Sequence, residues 1–409
     1  MLNRLWISFF IIAFLSSLYQ WLVLDHILIF EQLVKAIFDM SKVTVEIAIG
    51  LIGILSFWLG MMKVAENAGL IAKLASAISP LFTRLMPEVP KGHPSIGSMT
   101  MNLSANFLGL DNAATPLGLK AMQDLQTLNP QKDTATNAQI LFLVLNTSSV
   151  TLFPIAVFVY RAQQGAVNPT DVFVPILLAT FASTFAGLFA VAAVQKIKIF
   201  QKVILFYMSL GIAFVASIAV YFSTLTSQAL AQQSSLFGNL LIFTTLVIFI
   251  LAAVRKKVDV YNSFIEGAKQ GFETSIMLIP YLLAMLVAIG VFRASGSLAI
   301  IVDSFSQLVR FLGFDTRFVD AMPTALMKPF SGSGARAMMI ETMNTYGVDS
   351  FAGRLASIFQ GSTETTFYVL AVYFGSVGIR YSRHAIACGL IADLAGISAA
   401  IAVCYWFFG

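Results

Sequence analysis

The stretch IFQGSTETTFYVLAVYFG, residues 358–375, decides how the chain is read. As a whole it has the character of a membrane-spanning helix, yet Gln360, Ser362, Thr363, Glu364, Thr365 and Thr366 crowd its first half. An ionised carboxylate at bilayer depth costs on the order of 2–4 kcal/mol. Such a group faces a protein interior or a water-filled cavity rather than lipid tails.

The rest of the chain supplies the membrane. Of 409 residues, 58% are hydrophobic and 11% charged, and the mean hydropathy is +0.84. Soluble domains are roughly 45–50% apolar and about 25% charged. The net charge of +5 needs no nucleic acid to explain it, because cytoplasmic loops of membrane proteins carry excess Lys and Arg. Segments of spanning length fall near 5–23, 43–62, 138–160, 172–194, 203–224, 238–254, 274–293, 351–375 and 384–408, about nine full spans. The first lacks a small-residue cleavage site and reads as a retained helix. Cys388 and Cys404 share one apolar segment but lie about 24 Å apart along a helix, beyond disulfide reach. His26, His93 and His384 have no metal-ligand spacing.

Two further stretches, 94–128 and 321–346, are apolar but interrupted, and each follows an amphipathic segment, 64–86 and 297–313. The first amphipathic segment sets Lys73 and Arg84 apart from its apolar positions, as a helix lying in the membrane interface would. Lys196, Lys198 and Lys202 fill one loop, and Arg255, Lys256 and Lys257 another. The uncharged run TSQALAQQSSL, 226–236, lies between them. The positive-inside rule therefore puts both basic loops and the N-terminus in the cytoplasm, with 24–42 outside, provided 94–128 dips in and returns on one side.

Sliding the chain by 227 positions lays Asp39, Lys42 and Glu46 on Glu266, Lys269 and Glu273, and Gly69 on Gly296. With a shorter offset, LNTSSVTLF (145–153) matches FQGSTETTF (359–367). Similar units entering the membrane in opposite directions are the build of many secondary transporters, whose sites lie where the repeats meet. The interrupted stretches supply GLDNAATP (109–116) and KPFSGSGARA (328–337). In the first, Asn112 is placed to cap a second half-helix, with Pro116 in its first turn. In the second, Ser331 to Gly334 permit non-helical backbone. Freed N–H groups at such ends bind anions and freed carbonyls bind cations.

Single hydroxyls in spanning helices also serve as packing glue worth about 0.6 kcal/mol per bond. Two matched polar patches favour a site instead. The candidates are Asn112, Thr115, Asn146, Thr147, Ser148, Ser149, Thr151, Ser331, Ser333, Arg336, Gln360, Ser362, Thr363, Glu364 and Thr365. For Glu364 three roles stay open: an ion pair with Arg336 or Lys120, uptake of a coupling proton or cation, and direct solute contact. Asp393 reads as either paired in the bundle or part of a proton route. No Walker-type phosphate loop and no Gly-x-Ser-x-Gly elbow occur, so no ATPase or other enzyme is expected.

NLSANFLGLDNAATPLGLKAMQDLQTLNP (102–130), followed by LNTSSVTLFP, resembles the spore maturation protein A family. MKPFSGSGARA and DSFAGRLASIFQGSTETTFYVLAVYFGSVGIRYSRHAIACGLIADLAG (349–396) resemble the spore maturation protein B family. The chain thus looks like a natural fusion of the two. Both families carry the nucleoside-recognition, or Gate, domain, which is similar to domains of concentrative nucleoside transporters and bacterial ferrous-iron transporters. The resemblance implies an inner-membrane protein with two Gate-type halves and, in spore formers, a role associated with spore-core dehydration.

The expectation is an all-α integral membrane protein of two inverted-topology repeats with re-entrant helices. Residues 1–195 and 238–409 would be the halves, and 196–237 a linker with an added span. The function expected is secondary transport of a small polar solute, nucleoside-like or another metabolite, coupled to a proton or sodium ion. A passive channel and a non-transporting scaffold are the alternatives. No cofactor beyond the coupling ion is expected. The partners are the solute and the lipid bilayer, without nucleic acid, and self-association into a homo-oligomer stays open.

Overall fold

The structure, a computed structural model, describes every residue except Met1, 108–110 and 149–150. The side chains of Leu2, Asn3, Leu5, Ser227, Gln228 and 111–113 also lie outside the description. Among the described residues the fold is all helix, with no β-strand. Seven helices are long and apolar enough to cross a membrane: Trp6–Leu24, Ile29–Asn67, Phe173–Gln195, Lys202–Ser223, Ala229–Arg255, Val260–Ala294 and Ala385–Phe408.

The other two expected spans, 138–160 and 351–375, are both broken. The first runs as Asn137–Thr147 and resumes as Ile155–Gln163; the second runs as Phe351–Ser362 and resumes as Thr366–Ser376. Pro154 stands just before the first resumption and has no N–H to carry a helix through. In the second, Thr363, Thr365 and Thr366 are β-branched and poor helix formers. Both gaps fall on the polar patches.

The helices Ile29–Asn67 and Val260–Ala294 start well before the expected spans, so 29–42 and 260–273 are helical rather than connecting loop. Asp39, Lys42 and Glu46 recur at helical spacing, and Lys42 pairs with Glu46 one turn on at 3.8 Å. Nothing in 29–42 is a Gly or Pro that would stop the helix. The glycines of the other helix serve a contact. A Cβ on Gly267 would overlap the Leu59 carbonyl oxygen, and one on the facing Gly60, on Ile29–Asn67, would fall 2.9 Å from that of Phe264. Close approach through small residues is how membrane helices gain packing. Lys63 then bridges Glu66 at 3.3 Å and Glu266 at 3.4 Å.

After each long helix, a glycine in the left-handed region, Gly69 (φ 73°) or Gly296 (φ 72°), starts an amphipathic helix, Leu70–Leu85 or Ser297–Phe311. A pair of helices follows each: Pro94–Phe107 with Asp111–Thr127, and Met322–Met327 with Gly332–Tyr346. Then come an interrupted segment and a long closing helix, Phe173–Gln195 or Ala385–Phe408. The element order recurs twice.

The chain divides into two compact units. The first comprises Met1–Trp58, Ala156–Pro169 and Ala268–Gln360; the second comprises Leu59–Ile155, Thr170–Gly267 and Gly361–Gly409. In the first, Ala13, Leu33 and Val291 form a small core. Trp6 Nε1 and Gln20 Nε2 donate across it to the carbonyls of Ala284 (2.9 Å) and Ser295 (2.7 Å). The second has a core built around Asn137–Thr147, in which every residue from Ala138 to Thr147 is buried. A helix apolar all round belongs inside a bundle. Cys388 and Cys404 are buried and not joined in a disulfide.

Candidate functional site

In the second unit, Asn137–Thr147 opens with a capping box. Thr136 Oγ1 accepts from Gln139 N at 3.2 Å, and Gln139 Oε1 accepts from Thr136 N at 2.9 Å. Its last carbonyls have no donors within the helix and need them from elsewhere. Val144 O receives Ser148 N at 3.0 Å, Ser148 Oγ at 2.9 Å and Thr147 Oγ1 at 3.0 Å. Ser148 O receives Thr184 Oγ1 at 2.7 Å. Thr147 O receives the backbone N–H of Glu364 at 2.8 Å. The two gaps are therefore hydrogen-bonded to each other, and the two motifs set in register by sequence meet in space.

Small residues on the closing helices allow this approach. A Cβ on Gly389 would lie 2.8 Å from Thr366 Cγ2, and one on Gly396 2.7 Å from Thr363 Cγ2 and 3.1 Å from Ser183 Cβ. Gly389, Asp393 and Gly396 share one helical face. On that face Asp393, 2% exposed, accepts from Thr366 Oγ1 at 2.7 Å. Its carboxylate thus sits at the start of Thr366–Ser376, where the helix dipole favours negative charge. Thr365, the N-cap there, is buried and makes no side-chain capping bond.

A neutral network adjoins the gaps. Asn106 Nδ2 donates to Asn146 Oδ1 at 2.9 Å, and Tyr373 Oη donates to the same oxygen at 3.3 Å. Asn102 Nδ2 reaches Ala114 O at 2.7 Å and Tyr373 Oη at 3.3 Å. Phe142 stacks on the Tyr373 ring with centroids 5.9 Å apart. Leu152 N donates to Phe107 O at 3.2 Å, tying the first gap to the end of Pro94–Phe107. Among the described residues Asn102 Oδ1, Ser183 Oγ and Thr363 Oγ1 are buried without a hydrogen-bond partner. Each such atom costs about 1–3 kcal/mol. A polar solute or water could engage them.

Glu364 is half-buried, and among the described residues its carboxylate has neither a hydrogen bond nor an ion pair. Lys120, one partner expected for it, is held by Asp124 at 2.7 Å. Thr115 and Thr151 are half-buried, and Ser362 is fully buried. The side chain of Asn112 and the whole of Ser149 lie outside the described residues. The backbone still corrects one expectation: Asn112 lies within the helix Asp111–Thr127 rather than capping it, with Pro116 further in. Having no N–H, Pro116 leaves the Asn112 carbonyl without its usual helical donor.

The remaining candidates belong to the first unit. Ser331 is the N-cap of Gly332–Tyr346, and its hydroxyl accepts from Gly334 N at 3.0 Å, with Ser333 Oγ 3.2 Å away. Arg336 Nε donates to Gly332 O at 3.2 Å. Lys328, 3% exposed, donates to Gln360 O at 2.8 Å, and Gln360 Oε1 has no partner among the described residues. Arg161, fully buried, bonds Asp349 Oδ1 at 2.9 Å, Val348 O at 3.0 Å and Pro169 O at 3.1 Å.

Asn102, Asn106, Tyr373, Ser183, Lys328 and Arg161 were not among the candidates. Asn102 and Asn106 carried a usable signal, two amides one helical turn apart in an apolar helix. Tyr373 and Arg161 carried none, because their partners are more than a hundred residues away in sequence.

The fold and these paired gaps define a class: a multi-pass, all-helical membrane protein whose buried polar groups gather at interrupted helices. The Gate family, described as nucleoside recognition, matches residues 48–163 and 275–380, and the chain belongs to that family. It is 49% identical over 154 residues to spore maturation protein B of Bacillus subtilis (strain 168), covering 38% of this chain and 85% of that protein. It is 38% identical over 183 residues to spore maturation protein A of the same organism, covering 45% of this chain and 90% of that protein. The two matches cover different parts of the chain, consistent with a fusion. No solved structure matches it.

Proposed function

We propose that the protein is a secondary transporter of a small polar solute, nucleoside-like or a related metabolite, coupled to protons or sodium. One observation carries the reading: the Thr147–Glu364 hydrogen bond joins the two helix gaps and leaves the Glu364 carboxylate beside them without a partner among the described residues. A carrier needs polar groups that engage solute in one state and can be released in another. Gaps that supply their own backbone bonds leave side chains available for that purpose. Glu364 then binds the solute or the coupling ion, and the hydroxyls and amides around Asn146 and Thr363 read the solute's polar edge. Alternating access follows from movement between inverted repeats. The recurring element order and the family's description support this reading.

The basic loops at 196–202 and 255–257 favour a bacterial inner membrane location with the N-terminus in the cytoplasm. Proteoliposome uptake tests the proposal. A carrier shows saturable uptake that an imposed pH or sodium gradient accelerates, and Glu364→Gln abolishes the acceleration. Unsaturable uptake indifferent to both gradients means a passive gate.

A further inference from the structure

The amphipathic helix Leu70–Leu85 carries a cation near each end, and each lines a cavity in the second unit. At its start, a groove of about 680 Å³ is lined by Lys73, Ile248, Leu251, Ala252, Arg255 and Lys256. At its end, a cavity of about 290 Å³ is lined by Arg84, Glu88, Asn137, Gln195, Lys196 and Lys198, among others. Among the described residues none of these six cations has an ion-pair partner or a side-chain hydrogen bond. Glu88, the one carboxylate on either lining, is occupied by Asn137 Nδ2 at 2.9 Å. Like charges gathered on one concave surface focus a field that draws in anions.

Position and shape select the kind of anion. Arg255 closes the last turn of an apolar helix of spanning length, and Lys196 follows the end of another. Both groups of cations thus stand where a spanning helix meets water, the depth of lipid phosphates. In the larger groove Ile248 and Leu251, on the same helix as Arg255, continue the lining as an apolar wall. They are 49% and 61% exposed on the protein, as acyl chains would require. A free phosphate would use the cations and leave that wall idle. The helix itself is fixed: it buries Ile71, Ala75, Phe82 and Leu85, and Tyr207 Oη donates to Ala77 O at 2.5 Å.

We propose that Leu70–Leu85 seats anionic phospholipids, one phosphate headgroup held by Lys73, Arg255 and Lys256 and a second by Arg84, Lys196 and Lys198. Its counterpart helix, Ser297–Phe311, carries Asp303 as well as Arg310, so the basic seat belongs to one repeat only.

The test uses the full-length protein in neutral detergent, with native mass spectrometry counting retained lipid from phosphatidylglycerol and phosphatidylcholine micelles. Phosphatidylglycerol is expected to be retained at least tenfold more tightly. The triple variant Lys73→Gln, Arg255→Gln, Lys256→Gln is expected to lose most of that preference, and Arg84→Gln, Lys196→Gln, Lys198→Gln the remainder. The charge-matched control Lys35→Gln, Lys91→Gln, Lys269→Gln keeps it. Equal loss in the control, no preference between the lipids, or displacement by inorganic phosphate at millimolar concentration would overturn the proposal. The wild-type protein gives a second reading free of folding effects: retention falls as salt is raised. Retention indifferent to salt would also overturn it.

Discussion

The two interrupted segments treat charge in opposite ways. Asn137–Gln163 carries one charged side chain, Arg161, near its end, and Phe351–Ser376 carries Arg354 near its start and Glu364 within its gap. Both cations are bound to the same carboxylate, Asp349, at 2.9 and 3.8 Å, and Arg161 adds two carbonyl oxygens. The anion at the gap has no such arrangement among the described residues. A buried charge with every direction satisfied fixes a scaffold. A half-buried carboxylate without partners is available for a task.

Removing the fixed charge should do the most damage to folding. Arg161→Met removes a donor from Asp349, which keeps Arg354 and the Val167 N–H, and from two carbonyls, and thermal unfolding in detergent should show a loss of about 3 kcal/mol. Asp349→Asn in the same chain should recover part of it. Loss below about 0.5 kcal/mol would mean that Arg161 is not structural.

The free carboxylate should show the reverse pattern. Glu364→Gln is expected to change unfolding by less than about 0.5 kcal/mol. It should erase ligand-induced stabilisation, which is about 2.7 kcal/mol for a solute at 100 times its dissociation constant. A variant that unfolds instead would place Glu364 in the scaffold with Arg161.

Gly396→Val probes the close seat of the second gap, since its Cβ meets Thr363 Cγ2 at 2.7 Å. Overpacking there should cost about 2 kcal/mol in the same unfolding assay. Thr184→Val removes only the hydroxyl on Ser148 O and should cost about 0.6 kcal/mol. If both gaps were merely packed structure, all these variants would lower stability and none would affect ligand response alone.

Much of this was legible in the chain itself. Apolar length located the spans, and the 227-residue offset paired Gly69 with Gly296, each of which starts an amphipathic helix. A break near SGSG was readable from its glycines, but it falls earlier than expected: Ser331 is the N-cap, and Gly332, Ser333 and Gly334 lie inside the helix. The gaps that follow Thr147 and Ser362 were not readable, because their apolar flanks carry the average hydropathy of a continuous span. Their polar content was visible, but its geometry was not. The helical extension over 29–42 was hidden for the opposite reason: its charges look like a loop until their spacing places them on one face. Asn146, Tyr373 and Asn102 become one network only through packing of distant helices, which no local pattern encodes.

The central claim is that the joined gaps form a solute site with Glu364 as its free charged group. The most direct measurement is thermal stabilisation of the purified full-length protein against nucleosides, dicarboxylates and amino acids, across pH and with or without sodium. The same hits are then repeated on Glu364→Gln and Asn146→Ala. The account predicts at least one solute whose stabilisation both variants abolish, while the unliganded unfolding of Glu364→Gln stays close to that of the wild type. A solute that stabilises wild type and both variants equally would contradict it.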